Sequence, residues 1–96
     1  MKVVYHPSVQ RDVSEMLRHY DSISRKLGDA FWDEFMQYVQ LAADKPERYR
    51  VLFSNLRRVN LHRFPYHFLF RSISGGIRVV VLRHHQRHPQ HGLTRR

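Results

Sequence analysis

The chain has 96 residues, no cysteine, and 17 Lys and Arg against 8 Asp and Glu, for a formal net charge of +9. That length supports one domain with a single modest core. The lack of thiols excludes disulfides and thiolate metal sites, and no apolar run approaches the roughly eighteen residues a membrane span needs. The opening Met1-Lys2-Val3-Val4-Tyr5-His6-Pro7 is too short, and too soon broken by proline, to act as a secretion signal. A cytoplasmic protein is the simplest expectation.

Charge is distributed unevenly. Residues 1–47 hold all eight acids and six basic side chains, a net of −2; residues 48–96 hold eleven arginines and no acid, a net of +11. Six of the eight histidines also lie in the second half. Such one-sided charge points to a polyanionic partner, either nucleic acid or an acidic protein that masks the patch. The plainer alternative is a basic surface kept for solubility, but solubility does not require that half a chain lose every acid.

Taken in order, Lys2 to Tyr5 is a short β-prone run ended by His6-Pro7. Ser8 is a candidate N-cap for a helix whose apolar stripe is Val9, Val13, Met16, Leu17, Tyr20 and Ile23. Ser24 to Gly28 reads as a connector, with Asp29 as N-cap of a second helix running to about Asp44. Phe31, Trp32, Phe35, Met36, Val39 and Ala42 give it a broad apolar face, read as core, and Lys45-Pro46 stops it. Two helices so closely joined should form an antiparallel hairpin. Arg50 to Phe53 could be extended, followed by a Ser54-Asn55 turn. Leu56 to His62 alternates loosely, with Arg57, Val59, Leu61 and Arg63 as the partly buried set.

Residues 66–73 and 77–83 are two β-prone runs around Gly75-Gly76, a hairpin signature. The second run is apolar on both faces, as expected of a strand with helices on one side. Residues 84–96 form a polar, basic tail, irregular after Pro89. There is no internal repeat and no domain boundary. The fold class is α+β: an N-terminal strand, a helical hairpin, then a three-stranded antiparallel meander, with the helices packed on one face.

Several short stretches, in this order and at this length, resemble the RelE/ParE superfamily of toxins from bacterial type II toxin–antitoxin modules. They are Tyr5-His6-Pro7, Leu27-Gly28-Asp29-Ala30-Phe31-Trp32, Lys45-Pro46-Glu47-Arg48-Tyr49, Arg57-Arg58-Val59, Arg63-Phe64-Pro65-Tyr66-His67 and His84-His85-Gln86-Arg87-His88-Pro89. The resemblance implies a small toxin held inactive by a co-expressed antitoxin that wraps it. It also implies one of two targets: ribosome-bound messenger RNA, cut without metal, for RelE-like members, or DNA gyrase for ParE-like members. The ribonuclease members use an arginine after a Gly-Tyr pair, a second arginine after the last strand, and a C-terminal tyrosine. Here Pro65-Tyr66 is followed by His67, Arg87 or Arg83 matches the second arginine, and no tyrosine follows Tyr66. The Phe-Pro-Tyr and His-x-x-Arg-x-Pro features look closer to the ParE-like side.

Metal-independent RNA cleavage would need a base, an acid and cations for the charged phosphorane. Histidine can do either proton job and arginine can grip a phosphate with two parallel bonds. His67, His84, His88 and Arg87 are therefore the candidate catalytic set. Arg58, Arg63, Tyr66, Arg78, Arg83 and His85 are candidates for binding nucleic acid or another target. Each histidine has an ordinary alternative as a half-buried strand residue or plain surface. His84, His88 and His91 have metal-like spacing, but Pro89 interrupts it and no carboxylate is near, so neither metal nor cofactor is expected. Phosphate binding through arginines alone is a third possibility, and a toxin-like fold that only binds its partner is a fourth.

Overall fold

A computed structural model describes residues 2–96. The chain runs β1 (Lys2–Tyr5), α1 (Val9–Ile23), α2 (Arg25–Asp44), a short 3₁₀ turn (Pro46–Arg48), β2 (Val51–Phe53), β3 (Leu56–Asn60), β4 (Tyr66–Ile73) and β5 (Gly76–His84). The five strands lie in the order β1-β5-β4-β3-β2. β1 is parallel to β5, and every other pairing is antiparallel. The expected meander is present and gains one short edge strand, β2.

The helical hairpin is tighter than the sequence suggests. α1 and α2 are separated by Ser24 alone, whose extended backbone (φ −163°, ψ 146°) breaks the first helix while its Oγ accepts from the Leu27 amide at 3.0 Å. Ser24, not Asp29, is thus the N-cap of α2, and residues 25–28 are its first turn. Ser8 does not cap α1 with its hydroxyl; its amide donates to His6 Nδ1 at 3.1 Å. The residue before Pro46 is biased away from helix, which ends α2 where expected.

The sheet has two unlike faces. On the helix face Phe31, Phe35 and Val39 of α2 and Val9 and Val13 of α1 pack on Val59, Phe68, Phe70, Ile77, Val79 and Leu82. Fully burying a side chain of this size contributes about 1.5–3 kcal/mol. On the other face a smaller cluster, Leu56, Leu69, Val80 and Val81, is covered by Leu93 from the tail. The inward set expected on β3 is only partly so. Val59 and Leu61 are buried on the helix face and Arg57 half-buried, whereas Arg63 lies in the exposed loop beyond the strand's end at Asn60.

Two details of the β4–β5 hairpin fix everything that follows. Ile73 pairs with Gly76, so the two-residue loop is Ser74-Gly75 and Gly76 is already strand. A Cβ on Gly76 would stand 1.8 Å from the Lys2 carbonyl oxygen, so glycine is what lets β1 close on β5. The register then slips by one residue between Leu69 and Phe70. This bulge puts both Val80 and Val81 on the tail face and sets Arg83, rather than Leu82, opposite His67. Arg78, by contrast, pairs with Arg71 nearer the turn.

Candidate functional site

The tail face carries the chemistry. Asn60 and His67 are cross-strand partners, as are His67 and Arg83, so β3, β4 and β5 present their polar groups side by side. Arg83, 6% exposed, donates from Nε to His67 Nε2 at 2.9 Å, and His67, 1% exposed, joins His85 through a 2.9 Å contact between the two Nδ1 atoms. The two rings lie side by side and nearly coplanar, 9° apart with centroids 5.1 Å apart, which aligns those nitrogens. Arg58 anchors its Nε on Asn60 Oδ1 at 2.7 Å and brings Nη2 to 3.4 Å from His85 Nδ1.

These bonds dictate the tautomers. A guanidinium has no acceptor, so His67 Nε2 must be the bare nitrogen and its proton sits on Nδ1. That proton points at His85 Nδ1, which must then be the acceptor, and the His85 proton is on Nε2. Burial, then the Arg58 and Arg83 charges, pull the His67 pKa down to about 3. Burial and Arg58 also lower that of His85. Both rings are neutral near pH 7. Neither offers a free ring nitrogen to take a proton.

The tail is tied down through its backbone. Arg83 Nη1 donates to the carbonyls of Pro89 and His91, both at 2.8 Å; Arg71 Nη2 donates to the Arg95 carbonyl and Arg78 Nε to that of Arg96, both at 2.9 Å. Gly92, at φ +83°, sits so close to Val81 that a Cβ would lie 2.7 Å from its side chain. Arg95 makes the ion pair of this region, 2.6 Å from Asp12 Oδ2, an oxygen that also accepts from the Leu82 amide at 3.2 Å. Arg71 and Arg83 are thus met by peptide carbonyls, which leave their charge uncancelled.

Among the described residues, three surface cavities lie beside the groups named above. A groove of about 530 Å³ between the end of β1 and the helices is mostly apolar, with Tyr5, Val13, Leu17, Trp32, Phe35 and Met36 in its lining. A polar hollow of about 350 Å³ between α1 and the end of β5 mixes Asp12 and Glu15 with Arg11, Arg83, Arg87 and Arg95. The third, about 370 Å³, lies on the tail face. Arg58, His67, Arg83, His85 and Arg87 line it with no acid among its lining residues, and Leu52 and Phe53 form an apolar rim. Phe53 is 60% exposed.

The structure brings five of the sequence-selected residues to this third cleft: Arg58, His67, Arg83, His85 and Arg87. The others lie apart. His84 is paired with Tyr66, its ring edge-on to that tyrosine at 5.0 Å, and its Nδ1 accepts from the Gln86 amide. His88 Nδ1 accepts from the Gln90 amide in the next turn. Tyr66 is buried on the helix face beside Tyr20, Phe31 and Phe64, and burial raises its pKa. Arg63 stacks on Phe64 in a loop whose amides at 62 and 63 donate to Glu34. Arg78 is committed to the tail's end. Among the described residues no group of three or more His, Cys, Asp or Glu is placed to hold a metal ion. Sequence reasoning did not single out Phe53 or Asn60. The apolar Val51-Leu52-Phe53 between turns was the available signal for the first.

No protein-family model matches the sequence, and a comparison with curated proteins finds no match. Among solved structures, a chain of the chromosomal ParDE TA system from P. aeruginosa superposes with a TM-score of 0.76, covering 88% of this chain and 95% of that one. The α+β fold, two helices with a five-stranded mixed sheet, is shared with that chain. At 15% identity the likeness is one of architecture, and it extends over the helical hairpin and sheet together. No helix is long and apolar enough to cross a membrane.

Proposed function

We propose that this chain is the toxin of a type II toxin–antitoxin module, acting in the cytoplasm and neutralised by an acidic antitoxin. The observation that carries the reading is the likeness to a chain from a ParDE system over nearly its whole length. The acid-free half of the chain supports an acidic partner, and the apolar groove flanked by Trp32 and Met36 offers it a second, uncharged hold. A segment with apolar residues for that groove and carboxylates for the arginine face fits both.

Gyrase is the favoured target. The locked tautomers of His67 and His85 leave the cleft without a general base, which speaks for a poison that binds and against one that cuts. The RelE-like reading keeps one observation in its favour, the acid-free cleft itself. Induction in growing bacteria should arrest growth, and the purified protein should inhibit gyrase supercoiling while messenger RNA ends stay unchanged. New ribosome-dependent RNA ends with normal supercoiling would transfer the assignment to the ribonuclease reading. Unimpeded growth on induction would leave a partner-binding fold without toxicity.

A further inference from the structure

We propose that residues 89–93 form an acid-released strap: a proton taken up by the His67–His85 pair breaks the link from Arg83 to the tail, and this stretch leaves the sheet while the helix face stays packed. The device goes beyond the toxin reading and does not depend on toxicity or on the identity of the target.

Every ring lone pair in the relay behind the strap is already taken. Arg83 Nη1 holds the carbonyls of Pro89 and His91, its Nε donates to His67 Nε2, and His67 Nδ1–H donates to His85 Nδ1. Arg58 Nη2 stands 3.4 Å from the same His85 nitrogen. A proton on His85 Nδ1 would set two N–H groups face to face across 2.9 Å. His67 can make room by moving its own proton to Nε2, but there it meets the Nε–H of Arg83. The conflict therefore ends at Arg83, the residue that grips the strap. His84 and His88 repeat the device in the turns that lead to it. Each accepts an amide proton on a bare Nδ1, from Gln86 and Gln90 respectively, and protonation there removes the acceptor.

The surroundings oppose a new positive charge. The charged and titratable groups facing the pair are Arg58 from β3, Arg83 and His84 from β5, and Arg87 from the turn after it, with no acid among the residues lining the cleft. The strap brings His91, which faces Arg87, Arg95 and Arg83 and shares the neighbouring hollow with Arg11, Asp12 and Glu15 of α1. Asp12 is bound to Arg95. In the closed form burial, then Arg58 and Arg83, hold the His67 pKa down to about 3, whereas a released imidazole returns towards 6.5. The proton thus binds the open form, and acid favours opening. The opening is local, because the far end of the tail keeps the Arg95–Asp12 ion pair and the helix face is packed with apolar and aromatic side chains. It uncovers what Leu93 covers, the cluster of Leu56, Leu69, Val80 and Val81, and it frees the Arg83 guanidinium.

The test is amide hydrogen exchange of the full chain from about pH 7.5 to about pH 4.5, corrected for intrinsic exchange rates, together with nitrogen NMR spectra of the histidine rings. At neutral pH the spectra should show His67 bare at Nε2 and His85 bare at Nδ1. The amides of His91 and Leu93, bonded to the carbonyls of His88 and Gln90, should lose protection below pH 6.5 by about tenfold per pH unit for each proton taken up. Amides inside α2 should stay at least about tenfold better protected throughout. H67Q gives Arg83 an acceptor that cannot be protonated, and H85N gives one opposite position 67. The double variant H67Q/H85N should hold the strap at neutral pH and cut the fall to less than about threefold per unit. H85N alone, at an exposed position, should already flatten the fall, which keeps the test decisive if the double variant does not fold. H67F, which has no acceptor, should leave the strap loose at every pH, and H19Q, on the exposed side of α1, should match wild type. Unchanged protection of His91 and Leu93 across the range would overturn the strap. So would release in step with α2, a wild-type response in H85N and the double variant, or a protonated His85 beside a still-closed tail, which would mean that its ring swings out alone.

Discussion

The two faces of the sheet solve one problem by different means. The helix face is closed by aromatic and branched side chains from two helices, all insulated from water. The tail face has only four buried aliphatic residues and is otherwise closed by arginines that grip main-chain oxygens. The first is held by apolar burial, which a change of pH leaves largely untouched. The second is held by charge-assisted hydrogen bonds and a pair of neutral histidines, and should respond to pH and to salt. One sheet therefore has a permanent side and a conditional side, and the candidate site is on the conditional one.

Truncation on each side breaks the comparison most sharply. Phe68→Ala removes a ring with no exposed surface and should cost about 3–5 kcal/mol, with little dependence on pH. Arg83→Ala strands His67 Nε2 and the carbonyls of Pro89 and His91, and should cost about 2–4 kcal/mol. Urea unfolding reads both. After Arg83→Ala, amide exchange should also accelerate across residues 89–95 before it does in α2.

Acid separates the faces next. His67 is held neutral when folded, with a pKa of about 3, against an ordinary value of 6.5. Its contribution is complete above pH 6.5. As pH falls below that, the unfolded chain takes up a proton the folded chain refuses, so stability drops by up to roughly 1.4 kcal/mol per pH unit until about pH 3. His67→Gln should remove about one proton from the slope of stability against pH. An unchanged slope would mean that His67 titrates freely in the folded protein.

Smaller changes sharpen the picture. Gly92→Ala places a methyl group against Val81 at a left-handed backbone position and should cost about 1–2 kcal/mol. Asp12→Asn weakens the ion pair to Arg95 while keeping an acceptor for the Leu82 amide, and should cost about 1 kcal/mol or less, measured by thermal unfolding.

Much of the architecture was legible because periodicity and turn chemistry agreed. β1, the α1 stripe as far as Tyr20, the end of α2 at Pro46 and the β4–β5 hairpin all appear where the pattern places them, whereas Ile23 and Trp32, both expected inside, are exposed. The start of α2 was misplaced because Gly28 reads as a break. In the structure it is helical, in a spot where a Cβ would stand 1.8 Å from Asp21 Oδ1. The site was harder to read. Its residue types were visible, but their grouping depends on the bulge at Val80, and an inserted strand residue leaves no mark in an unbroken Val79-Val80-Val81-Leu82 run. Without that slip His67 would face Leu82. The tail's course was hidden too, since Leu93 is a lone apolar residue in a polar stretch.

Anchoring by peptide oxygens has an evolutionary corollary. Pro89 and His91 each contribute to the strap an atom that every amino acid possesses. Their side chains can be exchanged without loosening these ties, while Gly92, Leu93 and Arg95 answer to shape or charge. The terminal segment can thus remodel its outward chemistry, and with it the partners it meets, while still lying along the same path.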